Sequence, residues 1–116
     1  MQYAILHHTG VDPPHYDVLF ESAPGSQLTA FRVDQWPVRN PTAAIHLRDH
    51  RRLYLTYEGD IPGGHGHVRR VDAGSCNVAR EGETWIVVFF TECDMKLGVR
   101  FDPGSDGNGY AAPFHV

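Results

Sequence analysis

The sequence predicts an all-β domain, closed as a compact barrel of about six to eight short strands with little helix. Three observations predict it. Short β-rich runs alternate with turn signals at intervals of roughly 8–12 residues. The 12 Gly and 8 Pro punctuate the chain too often for long helices. No segment sustains an apolar period of 3.6 residues. A barrel is preferred to an open sandwich because closure removes exposed strand edges.

The runs follow in order. Tyr3–His8 is the first, and the second, His15–Glu21, begins after Asp12-Pro13-Pro14 and ends at Pro24-Gly25. Leu28–Val33 stops before Trp36-Pro37, and a short run at Ala43–Leu47 follows a helical turn expected near Pro41–Ala44. Leu53–Tyr57 stops at Gly59-Asp60, and Gly66–Val71 stops at Ala73-Gly74. Trp85–Phe90 is the most apolar run, and its Val and Phe residues suit a strand buried on both faces. Lys96–Phe101 ends at Asp102-Pro103-Gly104.

A chain of 116 residues suits one domain. Hydrophobic residues at 41% and charged residues at 21% mark it as globular. The net charge of −4 argues against wholesale coating of duplex nucleic acid. That charge is uneven. Residues 46–70 carry Arg48, Arg51, Arg52, Arg69 and Arg70 against only Asp49, Glu58 and Asp60. His46, His50, His65 and His67 share that window, so the middle of the chain is where an anionic ligand is expected. The longest apolar run, Trp85–Phe90, is far short of the ~20 residues of a membrane helix. The Met1 end has no basic, apolar leader pattern, so the expectation is a cytoplasmic protein without a membrane partner. Cys76 and Cys93 are too few for a disulfide scaffold and are expected to be ordinary semi-buried thiols.

The sharpest local feature is His15-Tyr16-Asp17. Side chains at i and i+2 of a strand share a face, so His15 and Asp17 project together, with Leu19 and Glu21 further along the row. Tyr16, Val18 and Phe20 then form the core row. If the first two strands are neighbours, His7 or His8 can face that pair. Two imidazoles and one carboxylate suit Mn²⁺, Fe²⁺ or Zn²⁺ with open positions. The alternative is a solvated pair on the outer surface. A second cluster is His46-Leu47-Arg48-Asp49-His50-Arg51-Arg52 with Tyr54 beyond it. Guanidinium forks match phosphate geometry, and an imidazole can donate a proton, although a merely solvated turn has the same composition. A third, Gly59 to His67 with Asp72 beyond, partly fits the first motif of cupins through His65 and His67. Its carboxylate is Asp rather than Glu, and no second motif follows. No Gly-x-Ser-x-Gly elbow, Walker lysine loop or Gly-x-Gly-x-x-Gly loop occurs.

Taken in order, these clusters resemble the phosphoesterase domain of bacterial DNA ligase D. The matching residues are His8, His15-Tyr16-Asp17 through Phe20-Glu21, Trp36-Pro37, Asp49-His50 with Tyr54, Glu58 to Gly64, and Asp72-Ala73-Gly74. The resemblance spans about Tyr3 to Gly74 and marks a stand-alone, shortened and divergent member. It implies a β-barrel with an active groove. It also implies Mn²⁺-dependent removal of a 3′-phosphate or a 3′-ribonucleoside in DNA repair, with Zn²⁺ or another divalent metal as substitutes. Carried over by position, His8, His15 and Asp17 are the metal ligands, with His7 the alternative to His8. His50 and Tyr54 are the pair at the scissile phosphate. Leu19 and Thr42 stand where the family carries phosphate-gripping Arg, and Arg48, Arg51 and Arg52 are expected to supply phosphate binding instead. The implied partners are nucleic-acid 3′ ends and separately encoded ligase or polymerase repair proteins. The competing expectation is a non-catalytic module that binds 3′ ends or a small phosphorylated ligand. A cupin-like metal protein is the third.

Overall fold

The computed structural model describes all residues from Met1 to Val116 and is all-β apart from one short 3-10 turn at Arg52–Leu55. The strands are β1 (Gln2–Thr9), β2 (His15–Glu21), β3 (Leu28–Val33), β4 (Thr42–His50), β5 (Gly59–Asp60), β6 (His67–Glu81), β7 (Thr84–Phe90), β8 (Lys96–Asp102) and β9 (Asn108–Phe114). All neighbours are antiparallel, in the order β1-β2-β3-β4-β9-β8-β7-β6, and β1 pairs back onto β6 to close the barrel. Eight strands close the barrel, and β5 adds a two-residue flap to the edge of β6. No helix is long and apolar enough to cross a membrane.

Four details differ from the sequence reading. Leu53–Tyr57 is not a strand: its first residues form the 3-10 turn, which buries Leu55. Pro41–Ala44 has no helical turn, because β4 starts at Thr42. β6 continues through Ala73-Gly74, where the chain bends from β1 to β7 as its partner. Gly74 makes that bend sterically feasible, since a Cβ there would lie 2.7 Å from the Phe90 carbonyl oxygen. Finally, β9 lies in a tail whose Gly, Ala and Pro residues carry a weak strand signal.

Two cores form, one on each face of β2. The larger fills the barrel and includes Tyr3, Ile5, Val18, Phe20, Phe31, Val87, Phe89, Val99 and Phe101. Phe20 sits at its centre, in ring contact with Phe31, Trp85, Phe89 and Phe101. The smaller lies outside the barrel wall, where Ala4, Leu6, Leu19, Leu28 and Ala30 are covered by Leu55 and Val68, with Tyr54, Tyr57 and Ile61 packed around them. The row of β2 that begins with His15 and Asp17 is therefore an interior surface. Cys76 is buried in the main core, where burial pushes its thiol up to about 11, and Cys93 is exposed rather than semi-buried.

An ion pair fastens the 3-10 segment to this outer face. Arg52 Nη1 donates to Glu21 Oε2 at 2.6 Å and to the Ser26 carbonyl at 2.8 Å. Burial alone would push the Glu21 carboxyl up. Hydrogen bonds from Arg52 and from the backbone N–H groups of Gln2 and Gly25 outweigh that effect and hold it below its ordinary value. Arg52→Ala should lower the free energy of unfolding by about 1–2 kcal/mol at neutral pH, a figure already reduced for solvent screening of a partly exposed guanidinium. A depressed folded pKa stabilises above the unfolded pKa, and the gain disappears as pH falls through the folded value. Urea titrations should therefore show wild type and Arg52→Ala converging as the buffer is taken into strong acid.

Candidate metal centre

β1 and β2 run antiparallel with His8 directly opposite His15 and Leu6 opposite Asp17. His8, His15 and Asp17 all leave the sheet on the outer face, at the end of the smaller core. His15 and Asp17 are each 5% exposed, which removes the solvated-pair alternative. His8 Nδ1 lies 3.3 Å from Asp17 Oδ2, and His15 Nε2 lies 3.3 Å from Asp17 Oδ1. One ligand atom from each residue can be chosen so that all three fall within 4.8 Å.

The hydrogen bonds around these rings decide what they offer. His15 Nδ1 donates to the Pro13 carbonyl at 3.1 Å, and His8 Nε2 donates to the His65 carbonyl at 2.6 Å. In the neutral rings these bonds place the proton on the far nitrogen and leave a lone pair on the nitrogen next to Asp17. His15 Nε2 and Asp17 Oδ1 are both buried without any hydrogen-bond partner. With both rings neutral, electron-rich atoms face one another, which is costly unless a proton or a metal cation is shared between them. Two ligands held about 2.1 Å from an ion at roughly 90–105° lie about 3.0–3.3 Å apart, which matches both close contacts. The donor set fits Mn²⁺, Fe²⁺ or Zn²⁺.

His7 does not take part. It points to the other face of β1 and stacks on Tyr16 with ring centroids 4.6 Å apart. The cupin trio is dispersed. His67 pairs with exposed Asp60 at 3.1 Å, whereas Asp72 is buried beside Tyr3, whose phenol is raised by burial and by that carboxylate. The glycine loop serves the centre through its backbone. Gly66 has φ +86° and packs so closely on Thr9 that a Cβ would lie 2.3 Å from the Thr9 carbonyl oxygen, and this approach holds the His65 carbonyl against His8.

A cavity of about 310 Å³ opens from the centre, lined by His8 and Asp17 at one end and by Arg48, Asp49, His50, Arg51 and Tyr54 at the other. Leu6, Ile61 and Val68 complete its wall. A β-bulge brings His50 there. Leu47 pairs with Ala30 and His50 with Leu28, so three residues of β4 advance while β3 advances two. Leu47 and His50 consequently share the outer face, which regular alternation would forbid. His50 Nδ1 donates to the Arg48 carbonyl at 2.9 Å, leaving Nε2 available, and Tyr54 packs edge-on with its ring centroid 5.8 Å away. Arg52 does not reach the cavity; Glu21 and Ser26 hold it, so its expected place in a phosphate-binding wall is not where the structure puts it. Leu19 is fully buried in the smaller core, and Thr42 Oγ1 donates to Asp34 Oδ1 at 2.8 Å.

Sequence reasoning missed Arg32, which pairs with Asp17 across the β2–β3 ladder and carries a buried Nε without a partner. The signal was the Ser22–Gln27 connection, because a hairpin between those runs sets Arg32 near Asp17. No family model matches this chain, and no curated protein matches it.

Calorimetric titration with Mn²⁺ and Zn²⁺ should separate side-chain from backbone roles. His15→Ala and Asp17→Asn should each lower affinity by at least about 100-fold, and Gly66→Ala by roughly 10–100-fold through displacement of the His65 carbonyl. His65→Ala and His67→Ala should bind as wild type does.

Proposed function

We propose that this chain is a metal-dependent phosphoesterase acting on nucleic-acid 3′ ends, removing a 3′-phosphate or a 3′-ribonucleoside, similar to the 3′-phosphoesterase domain of DNA ligase D. One observation carries the reading: the unsatisfied His8–His15–Asp17 cluster presents His8 and Asp17 to the same cavity as Arg48, His50, Arg51 and Tyr54. His8, His15 and Asp17 are the residues that would hold Mn²⁺, or Zn²⁺ or another divalent ion. When bound, such an ion supplies Lewis-acid charge to a phosphate oxygen.

The chain's own groups do the rest. Arg48 and Arg51 line the cavity and present guanidinium forks suited to orienting a phosphate. His50, fixed through Nδ1, keeps Nε2 free and in its protonated form would donate to the leaving oxygen. Tyr54 limits the rotation of that ring. Leu6, Ile61 and Val68 reduce the water around the reacting phosphate and strengthen these charges. DNA repair, cytoplasmic location and separately encoded ligase or polymerase partners belong to the same reading.

A specific observation favours a second reading, a non-catalytic module that binds 3′ ends or a small phosphorylated ligand. Leu19 and Thr42 place no cation where the resemblance expects one, and neither side chain is free to be replaced by local movement. Release of phosphate from a 3′-phosphorylated primer–template with added Mn²⁺ decides between the two. The enzyme reading expects turnover by wild type, loss of turnover in His15→Ala, and a kcat reduced by about 10²–10⁴ in His50→Ala. Binding without turnover in all three proteins would leave only the module.

A further inference from the structure

Arg32 belongs neither to the His8–His15–Asp17 cluster nor to the cavity lining. Arg32 and Asp17 are direct partners in the antiparallel β2–β3 ladder. Directly opposed residues share a face with Cβ atoms about 4.5–5.5 Å apart, so the Arg32 side chain rises beside the carboxylate at the centre. Its Nε is buried with no hydrogen-bond partner, and no carboxylate lies within ion-pair distance of its guanidinium. Arg52, by contrast, is held by Glu21 at 2.6 Å. The terminal nitrogens of this always-charged guanidinium are not among the buried unpartnered atoms, so they, rather than Nε, are what an anion from outside can meet.

Asp17 does not neutralise it. That carboxylate is turned to His8 of β1 and to His15 of its own strand, 3.3 Å from each. Arg32 also lies outside the lining of the cavity, which is reached from the other end by Arg48 and Arg51. Cationic groups therefore stand at two separate places around Asp17. A lone phosphate group fills one of them, whereas a strand offers successive phosphates to both.

We propose that Arg32 is an anchor for a backbone phosphate of a bound strand, lying outside the cavity and beside the metal centre, so that the site takes a polynucleotide 3′ end in preference to a mononucleotide. This rests on the phosphoesterase reading for its ligand class but is tested by binding, independently of turnover. The probes are a fluorescent primer–template with a 3′-phosphate and a nucleoside 3′-monophosphate, each titrated into Mn²⁺-loaded wild type, Arg32→Ala and Arg32→Lys. Arg32→Ala should weaken strand binding about 10-fold or more and make the slope of log K against log salt shallower by about 1, the signature of one lost phosphate contact. It should leave monophosphate binding and Mn²⁺ affinity within about two-fold of wild type. Arg32→Lys should recover the salt slope and part of the affinity.

Several results overturn the proposal: no strand binding by wild type, equal strand affinity and salt slope in Arg32→Ala, or equal loss for both probes. A fall in Mn²⁺ affinity in Arg32→Ala overturns it too, since Arg32 would then be supporting Asp17. Strand binding that depends on Arg32 in a protein that never releases phosphate upholds the anchor and removes the enzyme reading. Turnover by wild type together with strand affinity unchanged in Arg32→Ala does the reverse.

Discussion

The enclosure of the Asp17 carboxylate between two imidazoles governs the outer half of this molecule. Each ring is held through its far nitrogen by a backbone carbonyl, Pro13 for His15 and His65 for His8. A neutral ring cannot then turn its N–H toward the carboxylate without breaking that bond. The result is a small volume bounded by nitrogen and oxygen lone pairs, inside a shell that is mostly apolar. Water alone satisfies such a cluster poorly, because its acceptors far outnumber the donors a single molecule brings. A cation satisfies it at once. The turn before β2 and the glycine loop after β5 both make sense as devices that hold those two carbonyls in place.

Rigidity at the centre follows from burying β2 on both faces. Val18 and Phe20 pack into the barrel while Leu19 packs outward against Ala4, Leu28 and the 3-10 segment. Asp17 is thus anchored between two cores rather than carried on a free surface. A site built on a strand locked from both sides keeps its geometry better than one built on a loop. The outward packing also explains the charge pattern. A cation at position 19 would sit under Leu55 with no route to solvent. Positive charge on this face is therefore displaced to the rim, to Arg48 and Arg51 on one side and Arg32 on the other.

Local pattern made the first half of this legible. Period-2 alternation and the flanking Pro and Gly residues placed β1, β2 and β3 closely, and the i, i+2 rule put His15 and Asp17 together. Adjacency of β1 and β2 then brought in His8. What could not be read was anything that depends on a break in regularity or on distant packing. The bulge before His50 inserts one residue without any Gly or Pro to announce it. The apolar run at Leu53 looks like a strand because Leu55 is buried, but its partner is the outer core rather than a neighbouring strand. Arg52 looked available because Glu21, 31 residues earlier, is distant in sequence. Cys93 was expected to be partly covered, and only tertiary placement shows it exposed. His65 stands out in the sequence for its imidazole, whereas the fold uses its carbonyl.

The bulge in β4 has a consequence for how the two clusters cooperate. Without it, strict alternation would turn His50 inward from the face that Leu47 occupies, and the cavity would hold cations but no proton donor. With it, His50 and Tyr54 stand on the same side of the sheet as Asp17, while Arg48 and Asp49, the residues taken up in the irregularity, remain at the cavity wall. One extra residue therefore joins the His8–His15–Asp17 cluster of β1 and β2 to the Arg48, His50 and Tyr54 side chains of β4 and the segment after it. The strand pairing of β3 between them fixes the separation of the two halves, and the same pairing sets Arg32 next to Asp17. Position along β3 thus decides both the span of the cavity and where the spare positive charge lies.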